Sequence, residues 1–374
     1  MTIASKLPDF AAISSHFQFT GDLQSVQLID VGHIHDTYAL TFSNQGGVKR
    51  YILQQINTHV FRSPRLVMEN IRLVSNHLRA RLLQSGGNPE RESLTLIPTQ
   101  EGSDYYTTKD GDVWRAMLLI EGARTHLTLP ERRLYQNASQ AFGRFQRLLA
   151  DFPAEKLHIT IPDFHHTSRR LQAFECAAAQ DVSRRLASAR PEVDFLLQRR
   201  SEAGRLIELQ EQGKIPLRVT HNDTKLDNVL IDDQTGEGVC VIDLDTVMPG
   251  LSLYDFGDTV RSAANTAAED ELDLDKVHFD LDIFELLVRG YLLEMRNLLT
   301  RDELENLAFG AWLIIYEQAM RFLTDYLNGD TYYRTAYPDH NLARCRTQIK
   351  LIQEMEDHFA AVENIIHRVE AELR

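Results

Sequence analysis

Cysteine is scarce in this chain: three in 374 residues, Cys176, Cys240 and Cys345, widely spaced and with no Cys-x-x-Cys pair. Such spacing excludes a zinc ribbon or a dithiol redox motif and points to a reducing compartment. Long apolar runs are missing as well. No stretch approaches the ~20 residues a membrane helix needs, and the first residues have no apolar core of signal-peptide length, so the chain reads as cytoplasmic with no membrane partner. Positive charge is in deficit, with 40 Lys and Arg against 54 Asp and Glu for a formal net charge of −14. Nucleic acid is therefore an unfavourable partner, because binding its phosphates takes a clustered basic surface that releases counterions. Internal repeats, low-complexity tracts and Gly/Ser linkers are absent too.

What is present is an ordinary globular composition, 43% hydrophobic and long enough for two domains. Residues 17–19, 26–29, 38–42 and 50–54 alternate or run apolar like short strands and predict a small antiparallel sheet. Pro64 opens a helical stretch in which Val67, Ile71, Val74 and Leu78 share one face, and that face should pack on the sheet. Two further strands, 94–97 and 113–120, bracket a turn-rich segment at 104–112. Glu121-Gly122-Ala123 marks the change to helical sequence. We place a hinge near 119–123, dividing an N-terminal lobe (1–120) from a helix-rich C-terminal lobe (121–374), an α+β organisation. The charged runs 199–205 and 269–275 read as solvated helix faces or loop edges.

The chemistry is concentrated in Val219-Thr220-His221-Asn222-Asp223-Thr224-Lys225-Leu226-Asp227-Asn228-Val229-Leu230, followed by Val241-Ile242-Asp243-Leu244-Asp245. Moving a phosphoryl group requires a carboxylate to orient the acceptor hydroxyl and oxygen ligands to hold magnesium on a triphosphate. His-x-Asp-x-x-x-x-Asn supplies both in one loop. Asp223 would orient the hydroxyl, Asn228 would offer a neutral amide oxygen to the metal, and Asp243 an anionic one from a neighbouring strand end. Asp and Asn are also common turn residues, so order and context carry the weight: short strands at Leu217, Val219, 229–231 and 239–244 flank the loop. Asp245, on the same strand face as Asp243, is an alternative ligand or a supporting acceptor. Asp255 either braces the loop or caps a helix.

These residues resemble the aminoglycoside phosphotransferase and choline kinase superfamily, small-molecule kinases with a two-lobed protein-kinase-like fold. Within it, the segments Gly32-His33-Ile34-His35-Asp36-Thr37-Tyr38, Tyr51-Ile52-Leu53-Gln54-Gln55-Ile56-Asn57, Phe164-His165-His166-Thr167 and Glu317 to Arg346 resemble the N-acetylhexosamine 1-kinase branch. The resemblance spans nearly the whole chain. It implies ATP as donor, Mg2+ as cofactor, and the anomeric hydroxyl of N-acetylglucosamine or N-acetylgalactosamine as acceptor. By the same resemblance His221 orients the loop, Glu121 lies in the hinge whose backbone binds adenine, and Thr246, Arg321 and Tyr332 join Asp223 around the sugar.

Two departures stand out. Only Gly32 occupies the turn where phosphates would sit, and Gln54 falls where a protein kinase has its phosphate-binding lysine. A neutral amide brings no charge, so magnesium and Lys225 are expected to supply it, and the expected partner of Gln54 is Glu69. Read without the resemblance, Arg321 would pair with Asp325 one turn on and Tyr332 would pack against Tyr333, while His33 and His35 either reach the acceptor from the nucleotide-side loop or face solvent in a turn. The alternatives are a kinase for another amino sugar, such as N-acetylmuramate, or another alcohol, and a catalytically weak nucleotide-binding regulatory protein.

Overall fold

The computed structural model describes residues 8–29, 34–126 and 128–374. The chain divides into two compact units, Met1–Gly122 and Ala123–Arg374.

The first unit is built on an antiparallel sheet of β1 (Asp22–Ile29), β2 (Asp36–Asn44), β3 (Gly47–Ile56), β4 (Leu96–Ile97), β5 (Tyr106–Thr107) and β6 (Val113–Leu118). Its order is β1-β2-β3-β6-β4, with β5 also on β6. Alternation along the strands puts Leu40, Phe42, Tyr51 and Leu53 into one core with Phe17 and Trp114. The helix opened by Pro64 is present as α1 (Pro64–Gln84) and buries Val67, Ile71, Val74 and Leu78. Each such side chain contributes roughly 1.5–3 kcal/mol. Met68 places its sulfur 3.9 Å from Arg115 Nη1 on β6, so α1 lies against the sheet as expected.

Residues 17–19 differ from their expected strand. Phe17 makes only an isolated bridge to Thr99. Phe19 packs its ring 4.8 Å from Phe42 and 4.5 Å from Tyr51. Ring packing, not a ladder of backbone bonds, explains this apolar segment.

The second unit holds short strands between helices. β7 (Ala123–Arg124), β9 (Val229–Asp232) and β10 (Gly238–Val241) form one small sheet, and β8 (Arg218–Thr220) pairs with β11 (Met248–Gly250). The principal helices are α2 (Arg132–Leu148), α3 (Thr167–Gln180), α4 (Ser252–Ala263), α5 (Leu281–Met295), α6 (Leu307–Leu327), α7 (His340–Asp357) and α8 (Phe359–Glu372). Helix α6 is buried along almost its whole length, as an apolar helix on all sides must be. Helices α2 and α5 cross closely because Gly290 has no side chain: a Cβ there would sit 2.2 Å from the Gln136 carbonyl oxygen.

The charged runs are mostly exposed or half-buried, as solvated helix faces and loop edges should be, and also carry ion pairs. Glu269 bonds the buried Arg261 at 2.9 Å, and Arg199 bonds Glu356 at 2.7 Å. Among the described residues, no helix is long and apolar enough to cross a membrane.

Candidate functional site

The antiparallel pairs β8–β11 and β9–β10 fix the two ends of the polar loop. Gly250 lets the first pair close, since a Cβ would lie 2.3 Å from Thr220 Oγ1. Asn222, at φ +67°, turns the chain through the left-handed region that asparagine tolerates. Asp255, inside α4 and not at its cap, braces the turn: it accepts from His221 N at 2.9 Å, Asn222 N at 2.8 Å and Gln146 Nε2 at 2.7 Å. Burial pushes the Asp255 carboxyl up, opposed by His221 and these donors.

His221 is fully buried. Its Nε2 lies 2.8 Å from the Ile242 carbonyl oxygen, which can only accept, so Nε2 carries the proton. Nδ1 accepts from Asp223 N at 3.3 Å. Both ring nitrogens are committed to the backbone, which makes His221 a positioning residue. Thr246 has likewise donated its hydroxyl to the His221 carbonyl at 2.6 Å, leaving only oxygen lone pairs for any ligand.

Asp223 sits at the centre of the loop. Asn228 Nδ2 donates to its carboxylate at 3.0 Å and to its carbonyl at 2.7 Å, and Lys225 Nζ lies 3.4 Å from Oδ2. Burial alone would raise the Asp223 carboxyl, but the positive charges of Lys225 and Arg261 outweigh it and hold the group below the usual carboxylate range. Lys225 is pushed up in turn, chiefly by Asp223 and further by Asp227, Asp243 and Asp258, against a burial effect that lowers it.

The same geometry suits a hard cation. With its amide nitrogen facing Asp223, Asn228 has Oδ1 left as a ligand. The Asn228 carbonyl accepts from Ile242 N at 2.9 Å, which brings the backbone of Asp243 beside that of Asn228. The strand expected at 239–244 ends at Val241, however. Asp243 takes φ +59° and opens a 3-10 turn over Leu244–Thr246. The turn, and not strand alternation, therefore brings the Asp243 and Asp245 carboxylates together, with an oxygen of each within 4.8 Å of the other; Asp243 is partly exposed and Asp245 only 2% exposed.

Arg321 and Tyr332 line a common pocket of about 170 Å³, together with Arg170, Asp325 and Tyr333. Arg321 does not pair with Asp325. Its Nη1 donates to Gln318 Oε1 at 3.1 Å, and the guanidinium lies 5.1 Å from the Phe164 ring centroid and 5.8 Å from that of Tyr333. Burial lowers the Arg321 pKa, but Tyr333, Tyr332 and Glu317 more than offset it. Asp325 instead accepts from the backbone nitrogens of Thr331, Tyr332 and Tyr333 and from Asn341 Nδ2, all at 2.8 to 2.9 Å. Tyr332 is 59% exposed and meets Tyr333 edge-on at 4.8 Å.

Composition and spacing gave no sign of the residues joining this pocket to the loop. His165 places Nε2 2.9 Å from the Asn222 carbonyl oxygen and Nδ1 2.7 Å from Glu317 Oε1, while Thr167 Oγ1 donates to Glu317 Oε2 at 2.6 Å. The only available signal was the string Phe164-His165-His166-Thr167, which carried no assigned role.

In the first unit, Gln54 donates to Thr37 Oγ1 at 2.9 Å and accepts from Arg115 Nε at 3.0 Å. The expected Gln54–Glu69 hydrogen bond does not form, because Arg115 stands directly opposite Gln54 in the β3–β6 register. Glu69 accepts from Arg65 at 3.3 Å. Glu121 is held by Arg50 through its side chain and by Arg91 at its carbonyl. His35 accepts from Asn57 N at 3.1 Å and stacks on Phe61. Gly32 and His33 lie outside the described residues.

Several solved structures share this fold at low identity. The microcompartment-associated aminopropanol kinase is 15% identical with a TM-score of 0.59, over 94% of this chain and 97% of that one. Choline kinase from Cryptosporidium parvum is 15% identical with a TM-score of 0.55, over 94% and 93%. Spectinomycin phosphotransferase in complex with ADP and spectinomycin is 15% identical with a TM-score of 0.50, over 96% of each chain. At these identities the likeness concerns the fold. The sequence model described as the phosphotransferase enzyme family matches residues 25–290, a span that contains the whole polar loop and Asp243. The chain belongs to the phosphotransferase enzyme family.

Proposed function

We propose that the protein is a small-molecule kinase that transfers the γ-phosphoryl group of ATP, with Mg2+, to the anomeric hydroxyl of an N-acetylhexosamine such as N-acetylglucosamine or N-acetylgalactosamine. The observation that carries the transfer chemistry is the Asn228 amide bonded to the Asp223 carboxylate at 3.0 Å, beside Lys225. Asp223, kept ionised, accepts a hydrogen bond from the acceptor hydroxyl, aims its oxygen at the phosphorus and takes the proton late. A carboxylate below the usual range is a weak base, so alignment and charge placement supply most of the effect. His221 and Asp255 hold the loop in that position.

Asn228 Oδ1 and the Asp243 carboxylate would hold the magnesium, which when bound neutralises charge on the phosphates. Lys225 balances the cluster of carboxylates around it and keeps Asp223 ionised. Gln54, polarised by Arg115 at its carbonyl, keeps one amide N–H for a phosphate oxygen, and the Glu121–Gly122 backbone together with Gly32 would complete nucleotide binding. Arg321 and Tyr332 would bind the sugar from one pocket, with Thr246 as a minor acceptor. The names of the aminopropanol, choline and spectinomycin enzymes support a hydroxyl-bearing small molecule as acceptor.

Purified protein incubated with ATP, Mg2+ and a panel of hexosamines, amino sugars and simple alcohols tests this reading. A sugar 1-phosphate, identified by phosphorus coupling at the anomeric position, is the expected product. Turnover of another alcohol with none of either N-acetylhexosamine would remove the acceptor.

A further inference from the structure

The pocket that holds Arg321 and Tyr332 carries more positive charge than a neutral sugar requires. Two guanidiniums enter it from different helices, Arg170 from α3 and Arg321 from α6. Arg170 donates Nε and Nη2 to the Phe164 carbonyl at 3.2 and 3.0 Å. Among the described residues, neither guanidinium has a carboxylate at salt-bridge distance.

The two nearby acids are already engaged. Glu317 is 1% exposed, with one oxygen bonded to His165 and the other to Thr167. Asp325 divides its oxygens among three backbone N–H groups and Asn341. Burial and the neighbouring Arg321 both push the Arg170 guanidinium down, the signature of like charges sharing a partly desolvated space. The cation–π contacts of Arg321 with Phe164 and Tyr333 use none of its N–H groups, and only Nη1 is given to Gln318, which leaves donors for a ligand. A volume of about 170 Å³ is roughly ten times what one ordered water needs.

We propose that this pocket takes an oxyanion carried by the acceptor, so that among N-acetylated hexosamines those bearing a carboxylate or a sulfate are preferred to the neutral sugars. The proposal rests on the kinase reading above. The backbone of Phe164 connects Arg170 to His165, and His165 to Asn222, next to Asp223. An anion fixed by the two arginines would thus bind beside the transfer centre and orient the anomeric hydroxyl.

The test compares N-acetylglucosamine, sulfated N-acetylglucosamine and N-acetylmuramate as acceptors in kcat/KM, and as ligands in calorimetry without ATP. At least one acidic sugar is expected to exceed the neutral parent by about tenfold or more in both assays, and the better one identifies the anion. Arg170→Gln should bring that advantage close to unity; Arg170→Lys, the variant to use should the first not fold, should retain only part of it. Equal or better performance of the neutral sugar, or an advantage that survives Arg170→Gln, overturns the proposal. Calorimetric preference that depends on Arg170, with no phosphoryl transfer to any sugar, would retain the anion pocket and remove the kinase reading. Transfer without preference would do the reverse.

Discussion

His165 Nδ1 lies 2.7 Å from Glu317 Oε1, with side chains 6% and 1% exposed. The other ring nitrogen faces the Asn222 carbonyl, so both imidazole nitrogens meet oxygen acceptors. The helix that carries Arg321 is in this way tied to the backbone preceding Asp223. Removing one partner strands a buried charge, and we expect His165→Gln to cost about 3–5 kcal/mol in denaturant unfolding.

The same pair predicts a pH dependence. Burial raises the Glu317 carboxyl, but His165, Arg321 and Thr167 outweigh it and the net shift is downward. A depressed folded pKa contributes stability above the unfolded value, roughly pH 4.3, and that contribution is lost as pH falls through the folded pKa. The stability gap between wild type and Glu317→Gln should therefore be full at neutral pH and shrink on acidification below about pH 4. A gap that is constant with pH would contradict an ionised Glu317.

For Asp223→Asn, kcat is expected to fall by about 10²- to 10⁴-fold, with nucleotide affinity unchanged in equilibrium binding. The amide can still meet Lys225 or the loop, but it neither takes a proton nor attracts the acceptor hydroxyl. Unchanged turnover would remove Asp223 from the reaction.

Lys225 keeps Asp223 ionised, so its removal should move the acid limb of activity. In Lys225→Met the Asp223 carboxyl loses its largest opposing charge and titrates higher, and the acid limb of kcat/KM should shift upward in pH. A profile that drops in amplitude without shifting would assign Lys225 to phosphate binding alone.

Asn228→Ala removes both the proposed metal oxygen and the donor that orients Asp223. We expect the Mg2+ concentration for half-maximal activity to rise by about tenfold or more, as it should for Asp243→Asn. The two variants differ in one respect: only Asn228→Ala releases the Asp223 side chain, so it should lose more kcat at saturating metal.

The polar loop was legible in the sequence because its chemistry is local. His221, Asp223 and Asn228 fall within eight positions, and short strands on either side fix their order. Helix α1 was equally plain, from Pro64 and the spacing of Val67, Ile71, Val74 and Leu78. The Asp243 and Asp245 carboxylates do converge, but through a turn opened by one left-handed residue and not through strand alternation. The Gln54–Glu69 pairing failed because a sheet neighbour, Arg115, is set by register and not by proximity in sequence.

The amino-acid order by itself therefore determined the family and the local set of groups, a carboxylate and an amide on one turn, since residues this close in sequence are brought together by the turn itself. Only the tertiary structure decided what surrounds it. His165 meets Glu317 across 152 positions, and Arg170 reaches the pocket of Arg321 from another helix. Such meetings depend on how buried helices pack, and no local pattern encodes them.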